Sequence, residues 1–312
     1  MGGAVSAGVR VVRAGFRLDR THQIAALVAW LLTLIVASVS MWPAWRWWSS
    51  ALAYAPRGDV LVERVDLIVL KELVQFDRAS MFGMVGAALL AGMLLALILN
   101  PLIAGGVLGL LVDASDGPRA TRFFAAGVAC YGRFARALIY VAAVAALALG
   151  LVAVGSTLVV DAVSTRGLEQ AMVGLSVLRV IVLVGVAAFF TAVLDLARAH
   201  LVLTGSRAVL AASLTALRVA LRHPGALLRI GFSYALLLTG VGVGVVWLRA
   251  HLPGGGWGWL AVAFVLQQAF SYVRLRLRVA TLASLVVLAR VGVTAPATAA
   301  DPVADPVVIA VD

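Results

Sequence analysis

Charge is what this chain has least of. Only 12% of its 312 residues are Asp, Glu, Lys or Arg, whereas 63% are hydrophobic. A soluble domain carries about 25% charged residues, so a water-soluble globular enzyme is excluded: 14 carboxylates cannot keep so much Ala, Leu and Val in water. The single cysteine, Cys130, cannot make a disulfide within the chain, which excludes a disulfide-stapled scaffold, and nothing near it in sequence activates a thiol. Lysine is reduced to Lys71 and histidine to His22, His200, His223 and His251. These four stand far apart, without HExxH or HxxxH spacing, so no metal site is expected. Also missing are a GxSxG elbow, a GxxxxGKS/T phosphate loop and a dinucleotide fingerprint. No cofactor and no catalysis are therefore expected.

What the chain has instead is apolar sequence in long runs. About 20 consecutive apolar residues make a helix that crosses the roughly 30 Å hydrocarbon core of a bilayer. Six such runs stand at 24–41, 81–99, 137–160, 176–197, 230–248 and 257–273. The period-two alternation of a membrane barrel is absent, so helices are left as the way to satisfy backbone polar groups in lipid. The expectation is an all-α polytopic transmembrane bundle, one integral membrane domain over 1–293. A tail over 294–312 (TAPATAADPVADPVVIAVD) has the composition of a disordered segment. The first run follows a basic stretch and ends on small residues, as a secretory leader does. Its apolar length exceeds the roughly 7–15 residues of a leader core and further runs follow, so it is read as a retained span.

The formal charge of +11 is topological rather than a nucleic-acid footprint, because the arginines lie in short clusters between apolar runs. Threading the chain through six spans puts 17 basic residues on one side and 7 on the other, with Arg179 inside a span. The richer side holds Arg10, Arg13, Arg17 and Arg20, then Arg119, Arg122, Arg133 and Arg136. It also holds Arg198, Arg207, Arg218, Arg222 and Arg229, and finally Arg274, Arg276, Arg278 and Arg290. Trp42, Trp45, Trp47, Trp48, Trp247, Trp257 and Trp259 all fall at the opposite boundary, where amphipathic rings favour the headgroup layer. Both termini are therefore expected in the cytoplasm. The near-exclusive use of Arg over Lys, with the Ala-rich composition, points to a GC-rich bacterium and its inner membrane.

Three arginine-bearing segments precede the odd-numbered spans, giving a threefold layout of parallel hairpins that share few letters. Arg10, Arg13, Arg17 and Arg20 fall on one helix face. Between Arg119 and Arg136, Phe123, Phe124, Tyr131 and Phe134 oppose the four arginines. Between Ser206 and Arg222, Leu210, Leu214, Leu217 and Leu221 make a stripe bordered by Arg207, Arg218 and Arg222, and His223-Pro224-Gly225 stops the helix. These segments are read as interfacial helices on anionic lipid headgroups, each near-surface Arg contributing about 1 kcal/mol. The alternative is a cytoplasmic docking surface for a partner protein. On the other side, 59–78 reads as an amphipathic helix bearing Asp59, Glu63 and Asp66; acids in a first helical turn are what the macrodipole favours, so a cation there is not expected.

Charge at bilayer depth is the remaining place for chemistry. Asp195 and Arg198, spaced i and i+3, are expected to form a structural ion pair rather than a proton relay. Arg179 is expected to snorkel or to pair with Asp161 or Glu169. Asn100-Pro101 interrupts a run that resumes to Val112, too long for one straight crossing. A helix break is expected there, with Gly105, Gly106 and Gly109 allowing close packing afterwards.

The stretches PLIAGGVLGLLVDASDGPRATRFFAAG and FTAVLDLARAHLVLTGSRAVLAASLTALRVALRHPG, with the layout around them, resemble poorly characterised bacterial six-span membrane proteins. Among these is the membrane domain attached to some glycerophosphoryl diester phosphodiesterases. The resemblance implies a membrane body without an active site, because in those enzymes the chemistry belongs to a separate soluble barrel. The expected role is non-catalytic, structural or accessory, with membrane lipids and a membrane or cytoplasmic protein as partners. The rival is a transporter or permease subunit for an amphiphilic substrate.

Overall fold

A computed structural model describes residues 23–54, 75, 78–112, 118–164, 169–251 and 256–294. Seven helices make up these residues: α1 (Gln23–Tyr54), α2 (Arg78–Val112), α3 (Arg119–Ser164), α4 (Glu169–Thr204), α5 (Val209–Arg222), α6 (Pro224–His251) and α7 (Gly256–Thr294). The expected basic segment 10–20, the outer helix 59–78 up to Asp77 apart from Gln75, and the tail beyond Thr294 lie outside the described residues. The fold is all-helical, and five helical stretches are long and apolar enough to cross a membrane: Gln23–Ser50, Phe82–Val112, Arg119–Val163, Met172–Thr204 and Pro224–His251. The run at 257–273 lies in α7 and is not among the five. Gln267 and Gln268 lower its hydropathy, and Arg274, Arg276 and Arg278 follow it directly.

The helices are longer than the expected spans. At about 1.5 Å per residue, the 46 residues of α3 reach about 69 Å and the 39 of α7 about 58 Å, well beyond a hydrocarbon core. The excess length packs together at one end. Buried residues lie at the start of α1 (Ala25, Ala26, Ala29), the end of α2 (Ala104 to Leu111), the start of α3 (Phe123 to Val141), the end of α4 (Val193 to Leu201), all along α5, the start of α6 (Ile230, Tyr234) and the second half of α7 (Val279 to Ala289). Start and end alternate from helix to helix, so these segments meet at a single end of an up-and-down bundle. The apolar windows of the five long stretches, in contrast, are only 6% to 22% buried.

Three expectations are corrected here. The helix break at Asn100 and Pro101 is absent: α2 runs through Pro101 to Val112. Its last turns are clamped to α3, where a Cβ on Gly105 would meet Gly127 Cα at 3.0 Å and one on Gly106 would meet the Phe123 ring at 2.8 Å. That close packing offsets the loss of the proline N–H and keeps the segment helical. Next, 119–136 is no separate interfacial helix but the first half of α3. Its inward stripe is Phe123, Gly127, Cys130, Phe134 and Ala137, while Phe124 and Tyr131 point outward. Finally, Arg274, Arg276 and Arg278 are not loop residues following a span; the helix continues through them into a largely buried stretch, Val279 to Ala289.

Candidate functional site

Asp195 and Arg198 are the only charged residues buried among the described residues, each 1% exposed. Both lie near the end of α4, one helical turn apart, so they share a face as their spacing requires. The distance from Arg198 Nη1 to Asp195 Oδ1 is 3.8 Å, a long ion pair without a hydrogen bond. The strong partner of Asp195 comes from another helix. Arg278 of α7 donates a hydrogen bond from Nη2 to Oδ1 at 2.8 Å, and the same nitrogen stands 2.7 Å from Oδ2. Arg198 in turn donates from Nη1 to Asn100 Oδ1 of α2 at 3.1 Å, and its guanidinium carbon lies 5.6 Å from the centre of the Phe134 ring of α3. A guanidinium over an aromatic face gains from the ring quadrupole. The cluster thus joins α2, α3, α4 and α7 at one point of the packed end.

Each element brings its residue for a local reason. Asn100 sits next to Pro101, at the level where α2 passes from its exposed half into the packed end. Phe134 belongs to the inward stripe of α3. Arg278 is 40% exposed, so its guanidinium reaches inward to Asp195 while part of the side chain faces out. Burying one carboxylate with two guanidiniums leaves a net positive cluster, and Arg198 Nε and Nη2 have no partner among the described residues. The arrangement fits a tie between helices. A proton relay would need a titrating group facing out, but the outward-facing member is Arg278, and a guanidinium does not give up its proton in proteins.

The other candidate residues lie apart from this cluster. Arg133, expected at headgroups, donates from Nη1 to the carbonyls of Gly205 at 3.3 Å and Ser206 at 3.4 Å, which fastens α3 to the α4–α5 turn. Gly205 has φ of 63°, the left-handed conformation that ends many helices and that disfavours any side chain. Arg133 Nη2 also lies 3.7 Å from Cys130 Sγ, a neighbour three residues on that sequence reading passed over. Arg119, Arg136, Arg207, Arg218 and Arg222 are exposed, and Arg122 and Arg179 are half-buried. His251 Nδ1 lies 2.8 Å from the Trp247 carbonyl. Among the described residues no group of His, Cys, Asp or Glu could hold a metal ion. A gap between α4, α5 and α7, lined by Leu196, His200, Thr215, Ala216, Val219 and Ala289, has about 10 Å³, room for one water at most. On the outside of α3, Ala120, Thr121, Phe124, Ala125, Val128 and Ala129 form an open, largely apolar face.

Sequence reading missed Asn100, Phe134 and Arg278 as partners of the pair. One signal was present for Arg278: Val279, Leu282, Ala283 and Val286 continue at helical spacing directly after it, which marks a buried helix face rather than a loop. Compared with protein-family models, with characterised proteins and with solved structures, the chain matches none.

Proposed function

We propose that this chain is a non-catalytic integral protein of a bacterial inner membrane, crossing it six times with both termini in the cytoplasm. It serves as a structural or accessory body that holds anionic lipid and a partner protein. The observation that carries the reading is the junction of Asp195, Arg198, Arg278 and Asn100. The two buried charges of the described chain tie helices together instead of lining a cavity. The packed end is also the end that collects the arginines of α3, α4, α5 and α7, and it is therefore assigned to the cytoplasmic side. Purification in mild detergent followed by mass spectrometry tests the role: a stoichiometric protein partner is expected, and recovery of bulk lipid alone overturns the accessory reading. Orientation is tested with single cysteines at Gly58 and Arg207. Position 207 is preferred to Gly205, two residues before it, whose positive φ a side chain would strain. An impermeant thiol reagent added to intact cells is expected to label the first and spare the second.

The transporter reading keeps one observation in its favour, the open apolar face on α3 formed by Phe124, Ala125, Val128 and Ala129, against which an acyl chain could lie. One helix supplies the whole lining, so relative motion of two helices would not open or close it. Cross-linking of a photoactivatable lipid to Val128, with turnover in reconstituted vesicles, would support that reading.

A further inference from the structure

Three arginine-bearing segments compete as the contact with the leaflet. The first, 10–20, lies outside the described residues. The second, the start of α3, buries Phe123 and Phe134 and spends Arg133 on the carbonyls of Gly205 and Ser206. The third, α5, is built differently. It buries a face of small residues, Val209, Ala212, Ser213, Ala216 and Ala220, and leaves Leu210, Leu214 and Leu221 60%, 47% and 63% exposed.

At 3.6 residues per turn, the four leucines of α5 occupy an arc of about 60°, centred about 110° from the buried face. Arg218 and Arg222, both exposed, follow on the far side of the leucines, about 90° further round, and Arg207, also exposed, lies just ahead of the helix. The order around the helix is therefore bundle, leucine, arginine. A helix with that order, lying parallel to a membrane, puts leucine into the boundary between headgroups and acyl chains and arginine among the phosphates. The connections of α5 fit that orientation. Its 14 residues, about 21 Å long, join the end of α4 to the start of α6, two helices apolar and long enough to cross. Leu228 and Phe232, in the first turns of α6, are 71% and 70% exposed, so the apolar surface continues from α5 onto α6.

We infer that α5 lies in the plane of the cytoplasmic leaflet and binds anionic lipid, with Leu210, Leu214 and Leu221 in the acyl boundary and Arg207, Arg218 and Arg222 on lipid phosphates. The inference rests on the proposed reading that the long apolar helices, α3 among them, cross the membrane. The occupant is identified by charge complementarity: three exposed cations border the leucines, and no carboxylate occurs in 206–222.

The test uses the full chain with Cys130→Ala and one new cysteine at a time, Leu214→Cys, Ala211→Cys on the arginine side, or Val144→Cys within α3. Each carries a polarity-sensitive fluorophore in phosphatidylcholine vesicles with and without a quarter of phosphatidylglycerol. The label at 214 is expected to be quenched by shallow spin-labelled lipid and shielded from aqueous iodide, and the label at 211 to show the reverse. Replacing Arg207, Arg218 and Arg222 with Gln is expected to reduce the shielding at 214 by up to about fivefold per arginine in anionic vesicles and to leave neutral vesicles unchanged. Equal access of iodide to 214 and 211 in anionic vesicles overturns the inference, as does shielding at 214 only when a stoichiometric protein is bound. Iodide access at 144 would instead overturn the crossing reading beneath it.

Discussion

The same helices behave in two ways along their length. At the packed end, α2 and α3 approach so closely that a Cβ on Gly109 would overlap Ala126 and one on Gly127 would stand 2.7 Å from the Leu102 carbonyl oxygen. In the crossing halves, a Cβ on Gly83, Gly86, Gly150, Gly155, Gly185 or Gly244 meets nothing within 4 Å. Leu89, Met93, Leu147, Leu151, Ile181 and Val246 there remain largely exposed. Lipid explains the contrast. Hydrocarbon tails are as apolar as leucine, so helices in a bilayer gain nothing by hiding leucine from solvent, and close association must come from small residues and polar ties. This chain puts its polar ties and its tightest glycine contacts at one end, and in the crossing halves a Cβ on Gly92 of α2 would still meet Ser40 Oγ of α1 at 3.2 Å.

The contrast can be broken most forcefully at the charged junction. Asp195→Ala leaves Arg198 buried without its counter-charge, and a loss of about 3–5 kcal/mol in unfolding free energy is expected. Thermal or denaturant unfolding in detergent, followed by tryptophan fluorescence, measures it. The double variant with Arg278→Ala is expected to cost less than the two single changes together, because the partners interact directly. A strictly additive result would show that the junction holds nothing together.

Phe134→Ala is expected to cost about 3–5 kcal/mol, since the ring is fully buried, against less than about 0.5 kcal/mol for Leu147→Ala at 66% exposure. Equal losses would mean that the crossing halves pack as tightly as the other end. Gly109→Ala is expected to cost about 1–3 kcal/mol by overpacking, while Gly150→Ala is expected to gain up to about 1 kcal/mol by reducing backbone freedom. The opposite signs of the same substitution sharpen the comparison, and the same unfolding measurement reads both. A smaller loss is expected for Tyr234→Phe, which removes the 3.1 Å hydrogen bond to Ser284 that joins α6 to α7, for a change of about 1 kcal/mol.

Much of the helical layout was legible in the letters. Runs of apolar residues place α1 to α4 and α6, because the length needed to cross hydrocarbon is a local property of sequence. The spacing of Asp195 and Arg198 puts them on one helix face without any tertiary knowledge. The helix ends were less legible. Arg274, Arg276 and Arg278 read as the end of a span, yet α7 continues past them because Arg278 finds Asp195 and the following residues find a core. Pro101 reads as a break, yet α2 continues because glycines clamp its last turns to α3. In α5 the leucines stood out by size, but the buried face is made of alanine and serine, which carry no strong signal on their own.

Sequence by itself determined the solvent this protein is built for and the helical class of its fold, since hydropathy and run length act residue by residue along one segment. It also determined which end of the helices carries the arginines. Only the tertiary structure decided that this end is the packed one, that Arg278 and Asn100 join Asp195 and Arg198, and that the leucines of α5 turn away from the bundle. Those outcomes depend on which distant segments come within a few ångströms of one another, and no local pattern of residues specifies that.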